Sequence, residues 1–272
     1  MRNIILVIIS AFVFTACSSK EEINTNNTIN QKQIELKVQT TSLEEEDEFD
    51  GEFDEEFTEE VKEVFDPLSG YNRVMTKFND IVYINVLDPV ARGYAYVVPK
   101  GARAGISNFT DNLMFPVRFS NNLLQLKFKN ASEELGRFVV NTIFGLGGFV
   151  DTAKTELGWV KHDEDFGQTL GFYGVGEGFH VVLPLLGPSN LRDMVGLTAD
   201  SYVSALSTTG SSDIKYKIPN NTLENVGIMA GQTINTTSLN LGLYQSLKKD
   251  AYDLYPFLRD LYNQRRNSLI KE

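Results

Sequence analysis

The sequence has few of the side chains that bind metals or form covalent crosslinks. It contains one cysteine, Cys17, and two histidines, His162 and His180, among 272 residues. A single cysteine excludes a disulfide within the chain. The histidines lack the His-Glu-x-x-His spacing of a zinc helix, so a metal site would have to use the polar segment 161–165. A solvated acidic loop is the alternative for that segment, and we expect no cofactor.

Motifs for nucleophilic catalysis and for nucleotide binding are also missing. No Gly-x-Ser-x-Gly turn is present, which removes the usual signature of a serine hydrolase. Residues 174–178 read Gly-Val-Gly-Glu-Gly, with the third glycine one position too early for a nucleotide loop. These absences favour a protein that is not an enzyme. A lipid hydrolase with an unrecognised site is the catalytic alternative.

The N-terminal residues are typical of an export signal. Arg2 supplies a positive charge, and residues 4–14 are apolar apart from one serine. This pattern predicts a signal peptide over residues 1–16. The sequence Phe-Thr-Ala-Cys that ends at Cys17 resembles the bacterial lipobox, so we expect acyl chains on Cys17 that anchor the protein. An ordinary signal peptide before an unmodified cysteine is the alternative. The residue after the cysteine is Ser18 and not Asp. In the enterobacterial sorting pattern, which this segment resembles, that favours delivery to the outer membrane.

The net charge of −11 comes from one segment and not from the whole chain. Residues 43–66 hold 14 acidic side chains and one basic side chain, whereas residues 67–272 hold 20 basic and 19 acidic ones. A low-hydrophobicity acidic segment predicts a disordered tether, which we assign to residues 17–65. The remaining residues, 66–272, predict a nearly neutral folded domain without the basic footprint of a nucleic-acid-binding protein.

Helical patterns dominate residues 66–272. Residues 130–144 carry an apolar stripe at the i, i+3, i+4, i+7 spacing of an amphipathic helix, and residues 254–262 repeat it. Prolines at 89, 99 and 116 predict that residues 72–128 form short helices with sharp bends between them. The strand signal is weak, with one candidate at residues 181–186 that a proline interrupts.

Apolar side chains are abundant, but they are spread over short segments. The chain holds 18 phenylalanines and 11 tyrosines. No apolar run after the predicted signal peptide reaches the length of a membrane-spanning helix. In a water-soluble domain these side chains would fill a core. In a lipid-anchored domain some of them would instead face acyl chains. The sequence leaves both alternatives open.

Several ordered motifs resemble one family, the MlaA (VacJ) outer-membrane lipoproteins. They are DPLSGYNR at 66–73, Phe-Asn at 78–79, DPVARGY at 88–94, GLGGFVD at 145–151, HDEDFGQTLG at 162–171 and LPLLGPSNLRD at 183–193. The resemblance covers roughly residues 66–200 and returns weakly near the C-terminus. The acidic tether is longer than we expect in this family.

The resemblance implies an all-α fold, a ring of short, kinked amphipathic helices lying in one membrane leaflet around a central channel. It also implies a function: removal of mislocalised phospholipids from the outer leaflet of the outer membrane and their transfer to a periplasmic carrier. The implied partners are phospholipid, a trimeric outer-membrane porin and an MlaC-like carrier on the periplasmic side. A structural or adaptor lipoprotein that scaffolds a porin or envelope complex is the alternative function.

Two groups of residues are the candidates for a lipid path or gate. Phe78 and Asn79 match a family motif near the channel, and the alternative is a core phenylalanine beside a helix-breaking asparagine. Gly145, Gly147 and Gly148 form a glycine-rich turn that could move, since glycine tolerates large changes of its dihedral angles. A static packing turn between two helices is the alternative for these glycines.

Overall fold

The computed structural model describes residues 65–208 and 216–272. The predicted signal peptide, Cys17 and all of the tether except Phe65 lie outside the described residues. The helices are α1 (Ser69–Val82), α2 (Asp88–Val97), α3 (Lys100–Leu113), α4 (Phe115–Leu124), α5 (Phe128–Ile143), α6 (Thr152–Leu157), α7 (Phe166–Phe172), α8 (Leu191–Val203), α9 (Thr222–Leu239), α10 (Leu243–Asp250) and α11 (Leu254–Lys271). The strands are β1 (His180–Leu183) and β2 (Gly187–Asn190).

Two of the three prolines, Pro99 and Pro116, lie at breaks between helices, as predicted, whereas Pro89 does not. Pro89 and Pro116 lie in the first turns of α2 and α4, and Pro99 is the N-cap residue of α3. A proline has no N–H, but the first turn of a helix leaves its N–H groups without an intrahelical acceptor, so nothing is lost there. At Pro89 the chain does not leave the helix, because a π-helical turn, Tyr83–Leu87, joins α1 to α2.

The two strands form an antiparallel hairpin between α7 and α8. The strand predicted at residues 181–186 begins one residue earlier, at His180, and ends at Leu183. It ends there because Pro184 cannot donate a hydrogen bond to a strand ladder. The chain then reverses and returns as β2, which starts at Gly187 with a φ of 86°.

Helix α5 shows which way the amphipathic helices face. Its observed span agrees with the predicted 130–144 to within two residues. Its buried side chains are Ala131, Glu134, Arg137 and Asn141. The apolar stripe faces outward, with Leu135, Val139 and Ile143 all exposed. The helical period is therefore confirmed, and it is the polar face of the helix that packs against the protein.

The same reversed polarity, with polar side chains buried and apolar side chains exposed, extends over the described residues. Nine hydrophobic side chains are buried there, while forty large hydrophobic ones are exposed. The largest side chains with almost no exposure are all polar: Gln125, Glu134, Asn72, Asn121, Asn122 and Asn190. Water-soluble proteins bury mainly Ile, Val, Leu, Phe and Met and rarely expose large apolar patches. Of the two alternatives left by the sequence, this surface fits the one in which apolar side chains face acyl chains.

The polar interior is held by charge-assisted hydrogen bonds between helices. Arg118 of α4 donates to Glu134 of α5 at 2.6 Å, and both side chains are buried. Asn121, one turn further along α4, donates to Asp200 of α8 at 2.8 Å. Buried polar groups cost little only when they are paired in this way, so the pairs fix how the helices meet.

The C-terminal helix α11 is joined to α7 and α8 by one arginine. Arg266 donates to both oxygens of Asp165, at 2.6 and 2.9 Å, and to Asp193 at 2.9 Å. Burial alone would raise the pKa of each aspartate. Hydrogen bonds from Arg266 hold the pKa of Asp165 below its usual range, and those from Tyr262, Arg192 and Arg266 do the same for Asp193. The ion cluster therefore remains charged at neutral pH.

None of the helices in residues 65–208 and 216–272 is both long enough and apolar enough to cross a bilayer.

Candidate functional site

An apolar cavity of about 610 Å³ opens between α1, α2, α9 and the β-hairpin. Its walls include Val82, Val86 and Val90 from the first two helices and the turn that joins them, Leu185, Leu186 and Pro188 from the hairpin, and Val226, Met229 and Ile234 from α9. The volume is in the range of pockets that hold small organic ligands. The apolar side chains of the walls would contact a hydrocarbon chain favourably.

Residues that recur at helical spacing in the sequence form two of these walls. On α9 the lining residues are Val226, Met229, Ala230, Thr233 and Ile234. They follow the i, i+3, i+4, i+7, i+8 pattern of one helix face. This pattern is visible in the sequence, but an apolar helix face does not by itself predict a binding site, and these residues were not among the candidates. The opposite wall follows the same period from Thr76 to Val90, through the π-helical turn.

Asn79 lines this cavity and fixes the hairpin that forms its third wall. Its side-chain amide donates to the backbone oxygen of Leu183 at 2.9 Å, and its oxygen accepts from the backbone N–H of Leu185 at 2.7 Å. Asn79 therefore satisfies the two backbone groups next to Pro184. Its neighbour Phe78 is 42% exposed and does not line the cavity, so it is not a core residue.

A tyrosine adds a further polar group to the mainly apolar cavity. Tyr244 of α10 lines the cavity, and its ring lies 4.1 Å, between ring centroids, from the tilted ring of Tyr83. Its hydroxyl donates to Asp80 at 2.9 Å, and Lys248 donates to the same carboxylate at 2.7 Å. Burial and this hydrogen bond raise the pKa of Tyr244. The hydroxyl therefore remains protonated, and the cavity gains no charge from it.

The glycine-rich turn lies elsewhere, between α5 and α6 and against α3. A side chain at Gly145 would come within 2.2 Å of the Val150 backbone oxygen, and one at Gly148 within 2.6 Å of Asn112. Gly147 has open space around it but a φ of 75°. None of the three glycines lines the apolar cavity. The two groups of candidate residues therefore lie at separate places in the structure.

Each of the two histidines packs against other side chains of the fold. His162 contacts Glu133 at 2.8 Å through its Nε2 atom. His180 is buried near the rings of Tyr255 and Tyr262, and burial lowers its pKa. In the part of the chain that the structure describes, no three His, Cys, Asp or Glu side chains are grouped so that they could hold a metal ion.

Comparison with known proteins identifies the family. The sequence model of the MlaA lipoprotein family matches residues 64–269. The chain belongs to the MlaA lipoprotein family. Over 149 residues it is 44% identical to the Escherichia coli protein named "Intermembrane phospholipid transport system lipoprotein MlaA", covering 52% of this chain and 58% of that one. Over 144 residues it is 40% identical to the protein of that name in Haemophilus influenzae, covering 52% and 57%. The chain thus spans little more than half the length of these curated MlaA relatives.

A solved structure agrees with the family assignment at the level of the fold. It is described as "Structural basis for maintenance of bacterial outer membrane lipid asymmetry" and matches with a TM-score of 0.64 and 33% identity. The match covers 75% of this chain and 98% of the chain in that structure. It confirms the all-α, ring-like MlaA fold predicted from the sequence motifs.

Proposed function

We propose that this protein is an outer-membrane lipoprotein that takes mislocalised phospholipids from the outer leaflet and passes them to a periplasmic carrier. Acyl chains on Cys17 would hold it at the periplasmic face of the membrane. A trimeric porin and an MlaC-like carrier are its proposed partners. The reaction is a transfer without bond breaking, so the protein acts as a transporter component and not as an enzyme.

The observation that carries this proposal is the reversal of polarity between interior and surface. Bulky polar side chains fill the interior, while exposed Leu, Ile, Val and Phe cover the outside. Short amphipathic helices with apolar outer faces are suited to lie within one leaflet, where they would contact acyl chains. In water the same surface would be an aggregation hazard.

The apolar cavity supplies a place for the lipid tails. Its walls of Val, Leu, Met and Ile side chains offer favourable burial to hydrocarbon, about 0.8 kcal/mol for each CH₂ group removed from water. Its lining residues include no ionised side chain, so an acyl chain would meet no charge there. The names of the two curated relatives, which refer to phospholipid transport, agree with this use.

A substitution that fills the cavity tests the proposal. Ala230 lies on the cavity wall and is exposed to the open space, so Ala230→Trp adds bulk without displacing a packed side chain. We expect phospholipid to accumulate in the outer leaflet of cells that carry this variant, measured by labelling of surface-exposed aminophospholipid. Leu223→Trp is the matched control, because Leu223 is 82% exposed on the same helix and does not line the cavity.

The outcomes separate transport from scaffolding. Accumulation with Ala230→Trp and none with Leu223→Trp supports passage of lipid through the cavity. Normal asymmetry with both variants, at wild-type protein level, contradicts it. If a deletion of the protein disturbs the porin complex while Ala230→Trp leaves outer-leaflet lipid unchanged, the adaptor function is favoured instead.

A further inference from the structure

A second, polar pocket of about 270 Å³ lies between α3, α4, α5 and residues 151–161. Four cationic side chains and two carboxylates line it, together with three asparagines. The cationic side chains are Arg118, Arg137, Lys154 and Lys161, and the carboxylates belong to Asp111 and Asp151. Its lining is therefore of mixed charge, unlike the apolar cavity.

The positive charges of the two arginines in this pocket are already compensated by carboxylates. The Nη2 atom of Arg137 donates to both oxygens of Asp151, at 3.0 and 2.9 Å. Arg118 donates to the buried Glu134 at 2.6 Å. These side chains hold the walls together, and neither has a net charge left to offer a ligand.

A cation and a carboxylate remain for a ligand. Lys154 is exposed, and its ammonium forms no hydrogen bond or ion pair with any described residue. The Asp111 carboxylate is 48% exposed and lies 3.3 Å from Lys161, which is closer to Asp163 at 2.9 Å. Because Lys161 is shared between two carboxylates, Asp111 is incompletely compensated. The pocket thus offers one free positive group and one negative group.

Two apolar side chains line this pocket beside its polar groups. One is Phe138 of α5, which is half-buried. The other is Val160, which is 57% exposed. A ligand with a charged end in the pocket would therefore place the atoms next to that end against hydrocarbon side chains.

We propose that this pocket binds the zwitterionic headgroup of a phospholipid, with the phosphate at Lys154 and the ammonium at Asp111. The inference rests on the proposed function and adds a headgroup preference to it. The Asp111 carboxylate attracts an ammonium and repels a headgroup that carries only negative charge. Phe138 and Val160 would contact the first carbons of the lipid tails. A soluble phosphoethanolamine ester shares the headgroup chemistry but lacks those tails.

Binding measurements on the full chain test the pocket. Phosphatidylethanolamine and phosphatidylglycerol with identical acyl chains are compared in the same detergent micelles, by displacement of a fluorescent phospholipid. We expect the wild-type protein to prefer phosphatidylethanolamine. Asp111→Asn should weaken binding of this lipid about threefold to tenfold and leave phosphatidylglycerol binding undiminished, while Lys154→Gln should weaken both. Asp250→Asn and Lys249→Gln, at exposed positions of α10, are the matched controls.

The outcomes distinguish the pocket from the transport function. If both lipids bind equally and Asp111→Asn changes nothing, the headgroup pocket is wrong while the transport proposal stands. If neither lipid binds, both proposals fail. Glycerophosphoethanolamine, which has no acyl chains, should compete at least about a hundredfold more weakly than the lipid, because it cannot bury hydrocarbon. Equal competition would assign the pocket to a soluble phosphate ester and overturn the lipid assignment.

Discussion

Replacing the most buried carboxylate tests whether ion pairs hold the interior together. Glu134 is fully buried, accepts from Arg118 at 2.6 Å and from the backbone N–H of His162 at 2.7 Å, and lies 3.9 Å from Arg137. Glu134→Gln keeps the shape of the side chain and removes its charge. The Arg118 guanidinium, itself buried, would then lack its compensating anion.

The expected loss of stability is large. Removing one partner of a buried ion pair costs about 3–5 kcal/mol, because the remaining charge is left without compensation. For a domain of this size each kcal/mol lowers the melting temperature by about 2–4 °C, so a fall of roughly 6–20 °C is expected. The neighbouring Glu133→Gln is the control, because Glu133 is partly exposed and its pairs with His162 and Lys129 contribute less than about 1 kcal/mol.

The assay is thermal unfolding of wild type, Glu134→Gln, Glu133→Gln and the double variant Glu134→Leu/Arg118→Leu in the same detergent. The double variant should be more stable than Glu134→Gln alone, because it leaves no unpaired charge in the interior. If Glu134→Gln melted within 2 °C of wild type, the reasoning from a buried, compensated ion pair would be refuted.

Three further predictions concern other parts of the molecule. Burial raises the pKa of Asp200 to about 6, so the protonated form of Asp200 adds to the free energy of unfolding. This contribution is fully present below about pH 4 and is lost as the pH rises through about 6. A carbon-13 titration that places this pKa near 4 would contradict it. Asn79→Ala should cost about 1–3 kcal/mol in denaturant unfolding, through two lost hydrogen bonds; an unchanged midpoint would exclude the role assigned to Asn79. Gly145→Ala should lower the melting temperature more than Gly147→Ala, because a side chain at Gly145 would collide with the backbone. Gly147→Ala should cost about 1–2 kcal/mol of stability, because Gly147 has a positive φ. Equal losses would disprove the crowding at Gly145.

The helical elements were largely predictable because they depend on local signals. The apolar period located α5 to within two residues, and Pro99 and Pro116 located the starts of α3 and α4. Pro89 was expected to mark a bend, but the chain stays helical there. The orientation of the helices was not predictable in the same way. A stripe of Leu135, Val139 and Ile143 defines two faces, but it does not say whether the surroundings are water or hydrocarbon.

The site was predictable only in part, because it joins distant segments. Asn79 does line a cavity, yet its partners Leu183 and Leu185 are more than a hundred residues away. The cavity also needs α9, whose apolar face carries no signal of what it will pack against. The glycine-rich turn was a candidate gate because glycine tolerates large changes of its dihedral angles. Whether this turn moves as a gate stays a prediction.

The polarity of the outer surface is the central claim, and spin labels on α5 test it most directly. Labels at Leu135, Val139 and Ile143, in full-length protein reconstituted into phospholipid vesicles, report whether that face contacts acyl chains. We expect all three labels to be accessible to dissolved oxygen and shielded from a water-soluble nickel complex. Strong accessibility to the nickel complex at all three positions would place this face in water and contradict the account.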